Sequence, residues 1–311
     1  MALDPREAAG LFQPEPLALK ERRRSGKSKL PVPIAPSSHV LRLGDARDLS
    51  FIPDASVHLV VTSPPYFDLK EYAANSDGQL GELHEYEQFL DELDKVWREC
   101  ARILVPGGRV CCVVGAVNRS RRAKGRHYVL PLPADIQVRS RQFGLDNLTP
   151  VIWLKVGNIH LEASKSSRFL GKPNLPNGVI KNDFETILML RKPGGYRSPT
   201  PEMEAASRIE NDDYFRWYVP IWSDVTGAST REHPAPFPFE IAYRLIRMFS
   251  FVGDTVVDPF LGSGTSTSAA MACGRNSIGV EIEPTYLEIA ASRLAKLPFG
   301  VSLTIERKGT L

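Results

Sequence analysis

Two short stretches of this chain carry residue types that could do chemistry. The first is Ser63-Pro64-Pro65-Tyr66, which follows the apolar run VHLVVT at 57–62. Two consecutive prolines have no N–H to give to a ladder, so a strand must stop there. Their fixed φ makes a rigid corner. That corner offers the Ser63 hydroxyl, the carbonyls of Pro64 and Pro65 and the Tyr66 ring close together. Such a set suits methylation of an exocyclic amine on a nucleobase. The lone pair of that amine is delocalised into the ring, which makes it a poor nucleophile. Acceptors on its N–H groups, here Ser63 and the Pro64 carbonyl, favour a more tetrahedral nitrogen, and Tyr66 can stack on the base. The base must leave the helix to reach such a pocket. Catalysis would be positioning plus electrostatics, without a covalent intermediate. The plain alternative is a strand ended by prolines, with Tyr66 in the core.

The second stretch is DTVVDPFLGSGT at 254–265. A short strand ends in Asp258, a glycine-rich turn follows, and a helix begins near Thr265. Nucleotides bind in this context, at the carboxyl edge of a parallel sheet. Gly262 and Gly264 would let the backbone approach a ligand. No Gly-Lys-Ser/Thr follows, so the loop is not a triphosphate-binding P-loop. Glu281 ends the next strand, seventeen positions after Gly264. An acid there is placed to accept hydrogen bonds from ribose hydroxyls. Each feature alone is weak, since such loops are often only tight turns and such acids only solvated. Together they predict a nucleoside-type cofactor site.

These residues need elements to hold them. β-branched runs bounded by turn signals predict seven strands: His39–Leu43, Val57–Thr62, Arg109–Gly115, Pro150–Lys155, Phe184–Leu190, Thr255–Asp258 and Ser277–Ile282. Helices are expected at Glu85–Leu104, Pro133–Phe143, Pro238–Phe249, Ser266–Cys273 and Pro284–Leu297. Strand and helix alternate, which predicts an α/β fold with a mostly parallel sheet covered on both faces. Two stretches break the rhythm, Asn118–Tyr128 and Pro193–Ala235, and read as recognition insertions. Residues 1–36 read as a flexible basic extension.

Composition narrows the class. The 311 residues are 42% hydrophobic and 24% charged, with mean hydropathy −0.19, as in soluble globular proteins. The longest apolar run, Val110–Val117, has eight residues, far short of the ~20 a membrane helix needs. No apolar segment follows the basic residues 22–29, so no secretory signal is expected. The four cysteines, at 100, 111, 112 and 273, form no C-x-x-C pair. Metal binding and disulfides are therefore not expected, and the thiols suggest a cytoplasmic protein. The net charge of +3 is mild, but its distribution is not. Residues 118–142 hold Arg119, Arg121, Arg122, Lys124, Arg126, Arg139 and Arg141 against Asp135, a local +6. Arg119, Arg121, Arg122, Lys124 and Arg126 would neutralise the phosphates of a polyanion and make binding salt-dependent. His127 reads as a phosphate or structural contact.

TSPPY followed much later by DPFLGSGT resembles the S-adenosylmethionine-dependent amino-methyltransferases of DNA. The catalytic motif comes first and the glycine motif last, as in their β class, a circular permutation of the usual order. VIWLK at 151–155, HPAPFP at 233–238 and GVEIEPTY at 279–286 fall in the expected order, and the resemblance spans Val40 to Leu297. It implies a Rossmann-like methyltransferase fold with a seven-stranded, mostly parallel sheet. The strand order would be 3-2-1-4-5-7-6, with strand 7 antiparallel. Asp258, Phe260, Gly262, Ser263, Gly264 and Thr265 would line the cofactor, Glu281 would bind its ribose, and Asp45 would lie near its adenine. Pro234, Pro236 and Phe237 would close the methionine side. Ser63, Pro64, Pro65 and Tyr66 would hold the target base. Serine at the first catalytic position implies N4 of cytosine, where aspartate implies N6 of adenine. C5 methylation needs a nucleophilic cysteine, and none follows a proline in a loop here.

The resemblance divides the chain into five parts. These are the extension 1–36, a catalytic half 37–192 with the basic loop 118–128, a target-recognition region 193–232, a cofactor-binding half 233–300, and a tail 301–311. Sequence readers could come from Lys165, Arg168, Lys172 and Asn174, or from Arg197, Arg208, Arg216 and Trp217, although a Trp-Tyr pair such as Trp217-Tyr218 is more often packed. The expected partner is double-stranded DNA. A homodimer and a cognate restriction enzyme are compatible with the class. Other readings are an adenine-N6 enzyme on the same scaffold, a methyltransferase of RNA, protein or a small molecule, and an inert DNA-binding module.

Overall fold

The computed structural model describes residues 36–67, 79–119, 125–155, 169–170, 176, 179–180, 182–227, 238–298 and 301–307. The first half contains β1 (Ser38–Leu43), β2 (Val57–Thr62), α1 (Tyr86–Ile103), β3 (Leu104–Val114), β4 (Val117–Arg119), β5 (Tyr128–Leu130), α2 (Leu132–Ser140) and β6 (Asp146–Leu154). The second contains β7 (Phe169–Leu170), β8 (Val179–Ile180), β9 (Phe184–Arg191), α3 (Pro201–Ser207), α4 (Asn211–Trp217), β10 (Ile221–Trp222), α5 (Phe239–Phe249), β11 (Thr255–Asp258), α6 (Thr265–Cys273), β12 (Asn276–Glu281), α7 (Pro284–Ala295) and β13 (Ser302–Glu306).

The main sheet runs β10-β6-β9-β3-β2-β11-β12-β1-β13. Its seven central strands are in the order 3-2-1-4-5-7-6 that the resemblance implies. β9 pairs antiparallel with both β3 and β6, while the β2–β3, β2–β11, β11–β12 and β1–β12 pairs are parallel. Side chains alternate between the two faces of the strands. Val60, Val110 and Cys112 pack with α1 on one face; Leu59, Cys111 and Val113 pack with α5 and α6 on the other. α1 buries Phe89, Leu93, Val96, Trp97 and Cys100, a stripe of helical period. α6 (TSTSAAMAC) is buried all round, which its small side chains permit.

The structure departs from the sequence reading in two places. Residues 302–306 are not a tail: they form β13, parallel to β1 at the sheet edge. The stretch 193–235, expected as an insertion that breaks the strand–helix rhythm, contains α3, α4 and β10. Gly107 donates its N–H to the Lys192 carbonyl at 3.0 Å, and Lys192 donates to the Gly108 carbonyl at 2.9 Å. At Gly107 (φ +80°) a Cβ would lie 2.6 Å from the Gly195 carbonyl oxygen. The two Pro-Gly-Gly turns at 106–108 and 193–195 interlock because neither turn carries side chains there. Arg197 then pairs with Asp254, just before β11, at 2.8 Å. These contacts pin the start of the expected recognition region to the edge where the parallel strands begin, opposite the edge where β2 delivers Ser63.

Among the described residues no helix is long and apolar enough to cross a membrane, and no group of three His, Cys, Asp or Glu could hold a metal ion. All four cysteines are buried and free. The extension 1–35 lies outside the described residues.

Candidate active site at the carboxyl edge of the sheet

β2 and β11 lie side by side, in the register Val256↔Leu59 and Val257↔Val60. Both quoted motifs therefore leave the sheet at the same edge. The Thr62 hydroxyl donates to Asp258 Oδ1 at 2.7 Å, tying the last residue of β2 to the last of β11. The Phe260 N–H donates to the same oxygen at 3.1 Å and shapes the start of the glycine loop. Asp258 is 2% exposed, and burial pushes its carboxyl up to about 6, against the pull of Ser266, Thr62 and the Phe260 amide.

Glu281, at the end of β12, faces the same loop. Its Oε2 accepts from the Gly262 N–H at 2.8 Å and its Oε1 from the Glu283 N–H at 3.0 Å. Burial pushes its carboxyl up to about 7, with those backbone amides opposing. Gly262 has φ +52°, which favours glycine.

These residues surround a cleft of about 730 Å³. Of the expected residues, Asp45, Ser63, Pro64, Pro65, Phe260, Gly262 and Glu281 line it. The Asp45 carboxylate is gripped by Arg47 (2.6 Å), whose guanidinium also reaches Glu92 (2.8 Å). Gln79, Leu80, Gly81, Ile282, Glu283 and Tyr286 line the cleft without having been assigned from sequence. Tyr286 could have been found. Glu283 caps α7 by accepting from the Thr285 N–H and Pro284 opens the helix, so the first turn is aimed at the carboxyl edge. Nothing in the sequence marks Gln79–Gly81.

Other expected residues do not line this cleft. Asp258 stands behind the wall of the cleft and holds the two strand ends. Ser263 and Thr265 are buried against α7, where Arg293 donates to the Ser263 carbonyl at 3.0 Å and its hydroxyl at 3.1 Å. Gly264 (φ +80°) faces Leu294 and Ala290 of α7, and its missing side chain leaves room for them. Tyr66 is half-buried beside Gly115 at the end of β3, next to the cleft; a Cβ on Gly115 would sit 3.5 Å from its ring.

Arg119, expected on a phosphate, is 7% exposed and lies over the Phe67 ring at 4.7 Å, because β4 turns it onto the core. Arg126 is exposed, beside the Tyr128 ring. Arg197 is spent on Asp254, Arg216 pairs with Asp213 at 2.8 Å, and Trp217 is 2% exposed. Arg208 is exposed, but lines a cavity at the far edge. Arg121, Arg122, Lys124, Lys165, Arg168, Lys172, Asn174, Pro234, Pro236 and Phe237 lie outside the described residues.

Residues 57–292 match the family model of the N6/N4 DNA methylases. The Type II methyltransferase M.MjaI of Methanocaldococcus jannaschii is 35% identical over 288 residues, 83% of this chain and 91% of that protein. M.MthZI of Methanothermobacter thermautotrophicus is 34% identical over 286 residues, 83% of this chain and 77% of that one. Among solved structures, TTHA0409 of Thermus thermophilus, crystallised with S-adenosyl-L-methionine, is 48% identical with TM-score 0.73. The match covers 88% of this chain and all of that one. The cytosine-N4-specific PvuII DNA methyltransferase shares the fold, with TM-score 0.61 at 21% identity over 89% of this chain and 92% of that one. The permuted sheet, the Ser-Pro-Pro-Tyr corner and the glycine loop on one cleft agree with these matches: the chain belongs to the N6/N4 DNA methylase family, in the permuted β class.

Proposed function

We propose that this DNA methyltransferase uses S-adenosylmethionine to methylate the exocyclic N4 of a cytosine flipped out of duplex DNA. One observation carries the reading. The amine-binding corner Ser63-Pro64-Pro65 and the ribose-type acceptor Glu281 line the same cleft. The residues present fit an adenosine-containing cofactor. Glu281 is a largely buried carboxylate oriented by two backbone amides, Phe260 and Tyr286 offer flat apolar walls, and Asp45 adds an acceptor.

When bound, the cofactor supplies an electrophilic methyl group. The chain's own residues prepare the nucleophile. The Ser63 hydroxyl oxygen and the Pro64 carbonyl accept the two N–H bonds of the amine and hold its lone pair toward the cleft. Both acceptors strengthen as positive charge develops on nitrogen, so they act more on the transition state than on the ground state. Pro65 keeps the corner rigid. Tyr66, seated against Gly115, stacks on the extruded base. The basic segment after β3 starts from the same sheet edge. Arg121, Arg122, Lys124 and Arg126 supply the phosphate contacts, while Arg119 packs over the Phe67 ring.

Nucleosides from DNA incubated with the protein and S-adenosylmethionine, separated by mass spectrometry, test this. N4-methylcytosine is expected. N6-methyladenine would overturn the reading of Ser63 while leaving the scaffold argument standing. Absence of any methylated base on varied DNA would overturn both.

A further inference from the structure

A second cavity lies at the opposite edge of the sheet, where the parallel strands begin. It is an open cleft of about 1250 Å³, and four arginines and three tyrosines stand in its walls. The β3–β9 register sets Arg109 directly opposite Arg191. Like charges in cross-strand positions destabilise a sheet unless something compensates them. Among the described residues no carboxylate forms an ion pair with Arg109, whereas Arg191 has Asp146 opposite it on β6 and donates to the Gly194 carbonyl at 3.1 Å and the Tyr196 hydroxyl at 3.2 Å. The Arg109 guanidinium lies 4.5 Å over Phe249, and that of Arg191 lies 5.1 Å over Tyr196. Arg208 and Arg247 extend the same charge. Arg247 donates to the Arg208 carbonyl at 2.6 Å, yet its Nε is buried with no hydrogen-bond partner. Glu204 is the one carboxylate among the described lining residues, and no ion pair engages it.

The aromatic part of the wall is equally specific. Tyr214 and Tyr218 stack at 4.6 Å and are 48% and 44% exposed, while Tyr196 is 80% exposed. A cation near a helix C-terminus needs no ligand, and that explains Arg247 in the last turn of α5. It does not explain Arg109, which stands on a strand and lines the cleft.

We propose that this cleft is a second binding site, for a phosphate ester carrying a flat ring: a nucleotide, free or within a nucleic-acid strand. The phosphate accepts hydrogen bonds from Arg109, Arg208 and Arg247, and the ring stacks on the Tyr214–Tyr218 pair. The site lies across the sheet from the methyl-transfer cleft and does not depend on the identity of the methylated base.

The test is calorimetric titration of the full chain, saturated with S-adenosylmethionine so that the cofactor cleft is filled. The probes are guanosine monophosphate, inorganic phosphate and a single-stranded decanucleotide. The variants are Arg208→Glu, at an exposed position, and Arg109→Gln. Guanosine monophosphate is expected to bind more tightly than phosphate, and each variant to weaken it by about tenfold, with cofactor affinity unchanged. If only the decanucleotide binds, and both variants weaken it, the nucleotide is taken from a strand. Binding of no probe overturns the proposal. So does equal affinity for phosphate and nucleotide, or binding that neither variant alters, since such a ligand sits elsewhere on the protein.

Discussion

Replacing Glu281 by Gln separates two effects of pH that run in opposite directions. In the folded chain, burial raises the Glu281 carboxyl from the ordinary 4.5 to about 7. Folding without cofactor therefore takes up a proton between those values. This contribution to stability is full below about pH 4.5 and is lost as pH rises through about 7. It amounts to about 3 kcal/mol, at 1.36 kcal/mol per pH unit. Glutamine removes that cost but leaves one amide oxygen where two carboxylate oxygens accept from Gly262 and Glu283. The lost hydrogen bond costs about 1–2 kcal/mol. Glu281→Gln should thus be less stable than the parent at pH 5 and more stable by about 1–2 kcal/mol at pH 8. Cofactor binding has the opposite sign, because only the carboxylate accepts both ribose hydroxyls. The parent's affinity for S-adenosylmethionine should tighten about tenfold per pH unit up to about 7 and then level, whereas the variant should bind weakly at every pH. Urea unfolding at pH 5 and 8, with calorimetry from pH 5.5 to 8, reads both effects. Asp258, raised to about 6 for the same reason, contributes to both proteins and cancels in their difference. A variant less stable at both pH values, or a parent affinity flat across this range, would refute the reasoning.

Three further outcomes are expected. Gly264→Ala combines a left-handed φ of +80° with a Cβ 3.1 Å from Leu294 Cδ1, and should cost about 2–4 kcal/mol in urea unfolding; a loss below ~0.5 kcal/mol would mean the loop–α7 contact is loose. Ser63→Ala should lower kcat by about 10- to 100-fold while cofactor affinity stays within about twofold, and a large loss of cofactor binding would contradict the division of roles around the cleft. Arg121→Ala combined with Arg122→Ala should weaken DNA binding and flatten the log–log salt dependence by about 1.8; an unchanged slope would remove this segment from the DNA-binding surface.

Much of the scaffold was legible in the residues. Strands covered on both faces must be nearly continuous apolar runs, and VHLVVT, VCCVV and TILML are such runs, followed by Ser-Pro, Gly and Arg respectively. β13 escaped because its SLTIE alternates at the rim, and only pairing with β1 makes it a strand. α3 and α4 escaped because each is seven residues long, in a stretch of Pro, Gly and aromatics where helical periodicity has no room to show.

The site divides in the same way. Residue type and position after a strand pointed to Ser63, Pro64, Gly262 and Glu281, and the resemblance to Phe260; all five line one cleft, since the carboxyl edge of a parallel sheet is where such residues converge. Partnership could not be read from type. A glycine needed beside a ligand looks the same as Gly264, which is needed beside Leu294. An arginine bound for a phosphate looks the same as Arg119 over Phe67 or Arg197 on Asp254. The order of elements and the chemistry of each short motif were determined by the sequence itself, because they rest on local backbone restrictions and on burial. Which edge of the sheet a connecting segment reaches, and which neighbour absorbs a charge or fills a missing side chain, depend on contacts between residues far apart in the chain. Those were decided only when the strands assembled.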